Sequence, residues 1–75
     1  MIYYQNGKRV YALDEHTGIF IEYMGEEWDF STIDFEQAKQ NKYFKPISKN
    51  KAITLANDGA QRFVNLVCEE YNFFE

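Results

Sequence analysis

The sequence predicts an α+β fold. A three-stranded antiparallel meander, with room for a short fourth strand, packs on a long C-terminal helix, with a short helix between. Three observations carry this reading. Asn6-Gly7 separates two strand-like runs, and that pair tolerates the positive φ of a tight hairpin. Gly18 closes a second turn, Asp14 to Gly18, ahead of another apolar run. From Ala52 to Phe74, the residues Ala52, Ala56, Ala60, Phe63, Val64, Val67, Tyr71 and Phe74 recur at steps of three and four. That spacing draws one apolar stripe along a helix of about six turns.

Residues 1–24 form the meander. Ile2–Gln5 and Lys8–Leu13 flank Asn6-Gly7, so Gln5 faces Lys8, Tyr4 faces Arg9, Tyr3 faces Val10 and Ile2 faces Tyr11. The third strand is Ile19–Met24. If Leu13 pairs with Ile19, one face carries Ile2, Tyr4, Arg9, Tyr11, Leu13, Ile19, Ile21 and Tyr23 and is the better core face. The other carries Tyr3, Gln5, Lys8, Val10, Ala12, Phe20, Glu22 and Met24. A bulge at Gly18 would swap the third strand's two faces.

Trp28-Asp29-Phe30 forms a short fourth strand or packs as a loop. A short helix follows at 32–41, capped by Ser31 or Thr32, with Asp34 and Glu36 in its first turn, where carboxylates favour the helix dipole. Tyr43 to Ile47 is extended, because the residue before Pro46 avoids the helical region. Ser48 then caps the C-terminal helix, 49–74. Within it Asn57-Asp58-Gly59 is a weak point, and Asp58 with Gln61 resembles a capping box. The unbroken stripe favours one continuous helix over two.

Seventy-five residues make one small domain, 1–75, with no internal repeat or linker. Such a chain buries only about 60% of its unfolded surface, near the lower limit of independent stability. One cysteine (Cys68) and one histidine (His16) exclude an internal disulfide and a Cys/His zinc cage. The compensation is aromatic: seven Phe, six Tyr and one Trp. The first residues show no apolar leader and no run reaches membrane-spanning length, so the reading is cytoplasmic with no membrane partner. Lysine over arginine, with abundant Asn, Ile, Tyr and Phe, hints at a low-GC bacterium or its phages.

No catalytic, metal or cofactor motif is present, and the expectation is a non-enzymatic protein. His16 caps or solvates its turn rather than holding a metal, and Cys68 is a small hydrophobe beside Glu69 and Glu70. The clearest functional signal is a charge inversion. Asp14 to Glu36 holds eight acids and no Lys or Arg, whereas Gln37 to Asn57 holds five lysines and no acid. Three surfaces follow.

The first is an acidic patch of Asp14, Glu15, Glu22, Glu26, Glu27 and Asp29, offered to a basic protein partner. One version imitates nucleic-acid phosphates, as in an inhibitor of a nucleic-acid-handling protein. The competing reading lets the two charge blocks lie side by side and neutralise each other. The second is a basic segment, Lys39, Lys42, Lys45, Lys49 and Lys51 with Tyr43 and Phe44, suited in principle to single-stranded nucleic acid. The acidic whole and scarce arginine weigh against it. The third is an aromatic and apolar interface of Tyr3, Phe20, Leu66 and Phe73, serving a homodimer. It follows from a sheet face that one helix leaves uncovered and from a helix stripe too wide for one sheet face.

Overall fold

A computed structural model describes the backbone of residues 1–71 and the side chains of residues 1–70. The chain is α+β: β1 Ile2–Asn6, β2 Arg9–Leu13, β3 Phe20–Tyr23, β4 Trp28–Phe30, α1 Phe35–Ala38, β5 Lys45–Ile47, α2 Lys49–Leu55 and α3 Ala60–Tyr71. All strands pair antiparallel in one sheet of order β4-β3-β2-β1-β5. The sheet has five strands where the sequence suggested three or four. Pro46 lies in β5, an edge strand, where its missing N–H breaks no ladder.

Two register shifts separate expectation from structure. In the first hairpin Asn6 pairs with Arg9 and Tyr4 with Tyr11, so the loop is Gly7-Lys8, with Gly7 at φ +62°. That slip moves each pairing by two residues and keeps every side chain on its expected face. In the second, Leu13 pairs with Phe20 rather than Ile19. This one-residue slip reverses β3, because side chains alternate with period two. One face therefore carries Tyr3, Val10, Ala12, Ile21, Tyr23 and Trp28. The other carries Tyr4, Tyr11 and Phe20.

The helices cover the first of these faces, not the one expected to be the core. Tyr3, Val10, Ala12, Ile19, Ile21 and Trp28 pack with Ala52, Ala60, Val64, Val67 and Cys68. Small side chains on both layers (Ala12, Ala52 and Ala60) let helix and sheet approach closely.

The second face is covered too, which corrects the expectation that it stays open. Phe35 from α1 and Phe44 from the following loop close over it. Phe44 lies 4.6 Å from Tyr4 and 5.6 Å from Tyr11 between ring centroids, and Phe35 lies 5.6 Å from Phe20. Tyr11 and Phe20 stack within 5° of parallel at 5.2 Å. This small aromatic layer supplies burial that a single-helix design would lack.

The helices are shorter than the pattern suggested. Asp34, not Ser31 or Thr32, caps α1, in a reciprocal box with Gln37. The stripe that favoured one helix over 49–74 is split into α2 and α3. Ser48 caps α2 as expected, accepting from the backbone N–H of Lys51 at 3.1 Å. Asn57, rather than Asp58, supplies the bond at the break, accepting from Gly59 N at 3.0 Å. The stripe position Phe74 and the interface candidate Phe73 lie outside the described residues.

Candidate functional site: the β4 edge and the helix break

The break between α2 and α3 is built around Trp28. Its buried indole needs an acceptor, and Nε1 donates to the side-chain oxygen of Asn57 at 2.9 Å and to the Asn57 carbonyl at 3.2 Å. A continuous helix would spend that carbonyl on its own ladder. Asn57 Nδ2 donates in turn to the Glu26 carbonyl at 3.3 Å. The β3–β4 turn and the helix break are thus tied together, with Gly25 at φ +93° completing the tight turn.

These elements enclose a shallow groove of about 460 Å3, lined by Glu27, Trp28, Asn57, Asp58, Gly59, Arg62, Phe63 and Leu66. Beside it Phe30 packs on Phe63 at 5.3 Å yet is 48% exposed, and Leu66 is 57% exposed. Those exposures place apolar surface in water next to a ring of charge.

The expected acidic patch does not come together as six residues. Asp14 is buried and serves its own loop, accepting from His16 N at 3.2 Å and Thr17 Oγ1 at 2.9 Å. Glu22 is buried on the aromatic face, 3.9 Å from Arg9 Nη1. The Arg9 guanidinium is held more firmly protonated by a hydrogen bond to Tyr11 and by Glu22. Glu15 stands in the β2–β3 loop, at the opposite end of β3 from the β3–β4 turn. What remains at the β4 edge is Glu26, Glu27 and Asp29, all exposed, with Asp29 opposite Glu22 on the other sheet face from Trp28. Asp58 meets Glu27 at the groove, a neighbour that charge counting alone does not bring to it.

Lys45 lies on β5, with three strands between β5 and β4, whereas Lys49 and Lys51 lie on α2, whose C-terminal end leads to Asn57 and Asp58. At ordinary strand spacing the two edges stand about 19 Å apart. That is roughly twice the screening length of physiological salt, ~8 Å, so Lys45 does not neutralise the carboxylates at the β4 edge. Among the described residues one ion pair joins the two blocks, Lys39 with Glu36 at 2.8 Å, and none reaches Glu26, Glu27, Asp29 or Asp58.

The basic segment loses its stacking platform. Phe44 is packed into the aromatic layer, and Tyr43, though exposed, has Lys42 Nζ 5.1 Å from its ring centroid. Lys39 likewise rests on Phe35 at 5.6 Å. Of the aromatic and apolar interface, Tyr3 is buried beside Trp28 and Phe20 lies within the aromatic layer, so neither offers free surface. Leu66 alone stands exposed, since Phe73 lies outside the described residues. Burial, with the Asp58 carboxylate nearby, pushes the Tyr3 hydroxyl above its usual range. Burial and then Asp14 push the Cys68 thiol up.

Both free sheet edges are guarded. Strand alternation turns the backbone groups of Trp28 and Phe30 outward on β4. There the Phe30 N–H is already taken by its neighbour's carboxylate, Asp29 Oδ1, at 2.7 Å. On β5 the corresponding donor is missing at Pro46. An occupied donor and a missing one both discourage strand addition.

Among the described residues no group of three or more His, Cys, Asp or Glu side chains could hold a metal, and no helix is long and apolar enough to cross a membrane. The arrangement is that of a small α+β protein with an acidic, partly apolar surface at one sheet edge. Comparisons with protein-family models, with curated proteins and with solved structures find no match.

Proposed function

We propose that this chain is a non-enzymatic protein-binding module that presents its β4 edge to a basic surface of another protein. The observation supporting this reading is an excess of carboxylate at the β4 edge: Glu26, Glu27, Asp29 and Asp58 stand against Arg62, none of them in an ion pair among the described residues, with Lys45 on the opposite sheet edge. Uncompensated carboxylates steer an approaching cationic surface and reject acidic ones. Because nucleic-acid-binding grooves are strongly basic, the favoured partner is a nucleic-acid-handling protein whose groove the acidic edge occupies. Inhibition or modulation by a phage- or mobile-element-type accessory protein is the role this surface suits.

The test is capture of partners by the wild-type protein and by a triple charge reversal, E26K/E27K/D29K, over a salt series. The expected result is capture that weakens with salt and disappears in the variant. Undiminished capture by the variant would rule the acidic edge out.

A further inference from the structure

The groove over Trp28 deepens that reading, on which it rests. We propose that its occupant is a cationic segment of a partner protein, which seats an apolar side chain on Phe63 and Leu66 while its Lys or Arg side chains meet Glu27 and Asp58.

Size comes first. At about 460 Å3 the groove falls within the ~300–1,000 Å3 range of ligand clefts and admits one or two large side chains. Its walls are apolar where Phe63 and Leu66 stand and charged where Glu27, Asp58 and Arg62 stand. Among the described residues no ion pair engages any of those three charges. Two carboxylates, Glu27 and Asp58, face one guanidinium there, with Glu26 next in the chain, so the surroundings favour a cation.

The guarded edge decides the mode. β4 is only three residues long and its Phe30 N–H is bonded to Asp29, so an added strand finds a short ladder with one donor taken, and side chains in the groove offer the larger surface. A second copy of this chain is the poorer occupant. It carries the same net charge of −4 and is repelled at long range, whereas a cationic segment is drawn in.

Trp28, the only tryptophan, forms part of the groove wall and reports on occupancy. The experiment titrates the protein with a short amphipathic Lys/Leu peptide, following tryptophan fluorescence, beside a Lys/Gly peptide of equal charge. Saturable binding is expected for Lys/Leu, with Lys/Gly weaker by about tenfold or more. L66S and E27Q/D58N should each weaken Lys/Leu binding about tenfold, and E36Q should not. Leu66 is exposed, so L66S tests contact rather than folding.

Three results would overturn the proposal: no saturation by about 1 mM peptide, equal binding of both peptides, or indifference to L66S. If both peptides bind equally and E27Q/D58N weakens both, the acidic-edge reading stands and the groove does not. If the protein instead forms a dimer that L66S dissociates, the occupant is a second copy and the proposal falls.

Discussion

Trp28 and Asn57 hold each other in place across 29 residues of chain: the indole N–H reaches both the side-chain and the backbone oxygen of Asn57, at 2.9 and 3.2 Å. The contact joins the sheet edge to the helical layer and shapes the groove between them.

Replacing Asn57 with alanine leaves the buried indole one acceptor short and removes the bond to Gly59 N. Leaving a buried donor under-satisfied costs about 1–3 kcal/mol. N57A should therefore lower the melting temperature by roughly 4–8 °C per kcal/mol lost in a domain of this size. Calorimetry or urea denaturation checks it; an unchanged midpoint would remove the lock from the account.

Gly59→Ala provides an opposite-sign test. In an ordinary helix position the change would stabilise by about 1 kcal/mol. Here the new Cβ would stand 2.9 Å from Asn57 Oδ1 and 3.3 Å from Trp28 Cδ1. Asn57 Oδ1 is pinned by two donors, so it yields only by giving up bonds. G59A is expected to destabilise, and a rise in stability would show that the break is not held by Trp28.

The aromatic layer on the second face predicts a contrast between neighbours. Phe44→Ala removes a ring packed against Tyr4, Tyr11, Phe20 and Phe35 and should cost about 3 kcal/mol. Tyr43→Ala, at an exposed position, should stay within about 0.5 kcal/mol. Equal effects in denaturant titrations would contradict the assignment of Phe44 to the interior.

Cys68 predicts both a pH dependence and a reactivity. Its thiol is pushed up by burial and then by Asp14, so above the unfolded value of roughly 8.5 the unfolded chain releases a proton that the folded chain retains. Stability should be level on this account below that pH and fall as pH rises through it. Tyr3 adds the same sign above about 10. C68A should flatten the first part of the decline, and an aromatic disulfide reagent should label native Cys68 far more slowly than the unfolded chain.

The guard on β4 gives a test of association. D29A frees the Phe30 N–H, whereas D29N keeps an acceptor with the same loss of charge. Sedimentation over a dilution series should show stronger self-association for D29A than for D29N. Identical behaviour would mean that charge, not the covered donor, protects the edge.

Local pattern determined much of this protein without the structure. Asn6-Gly7 and Gly18 announced the hairpins, Pro46 an extended segment, Ser48 a helix start and the apolar stripe the helical layer. Each is a property of a few adjacent residues. Charge counting found Glu26, Glu27 and Asp29 because they are consecutive or nearly so. Only the tertiary structure decided the rest. A one-residue slip at Leu13–Phe20 chose which face of the sheet the helices cover, and alternation in sequence is blind to such a slip. The stripe runs unbroken through Asn57-Asp58-Gly59 because helical periodicity does not register that a distant indole needs an acceptor. β5 returned to the far edge through a pairing with β1 that no local signal carries, and with it Lys45 moved away from the acids. Asp58 joined the acidic edge, and Asp14 and Glu22 left it, for the same reason: long-range pairing sets which charges meet water together.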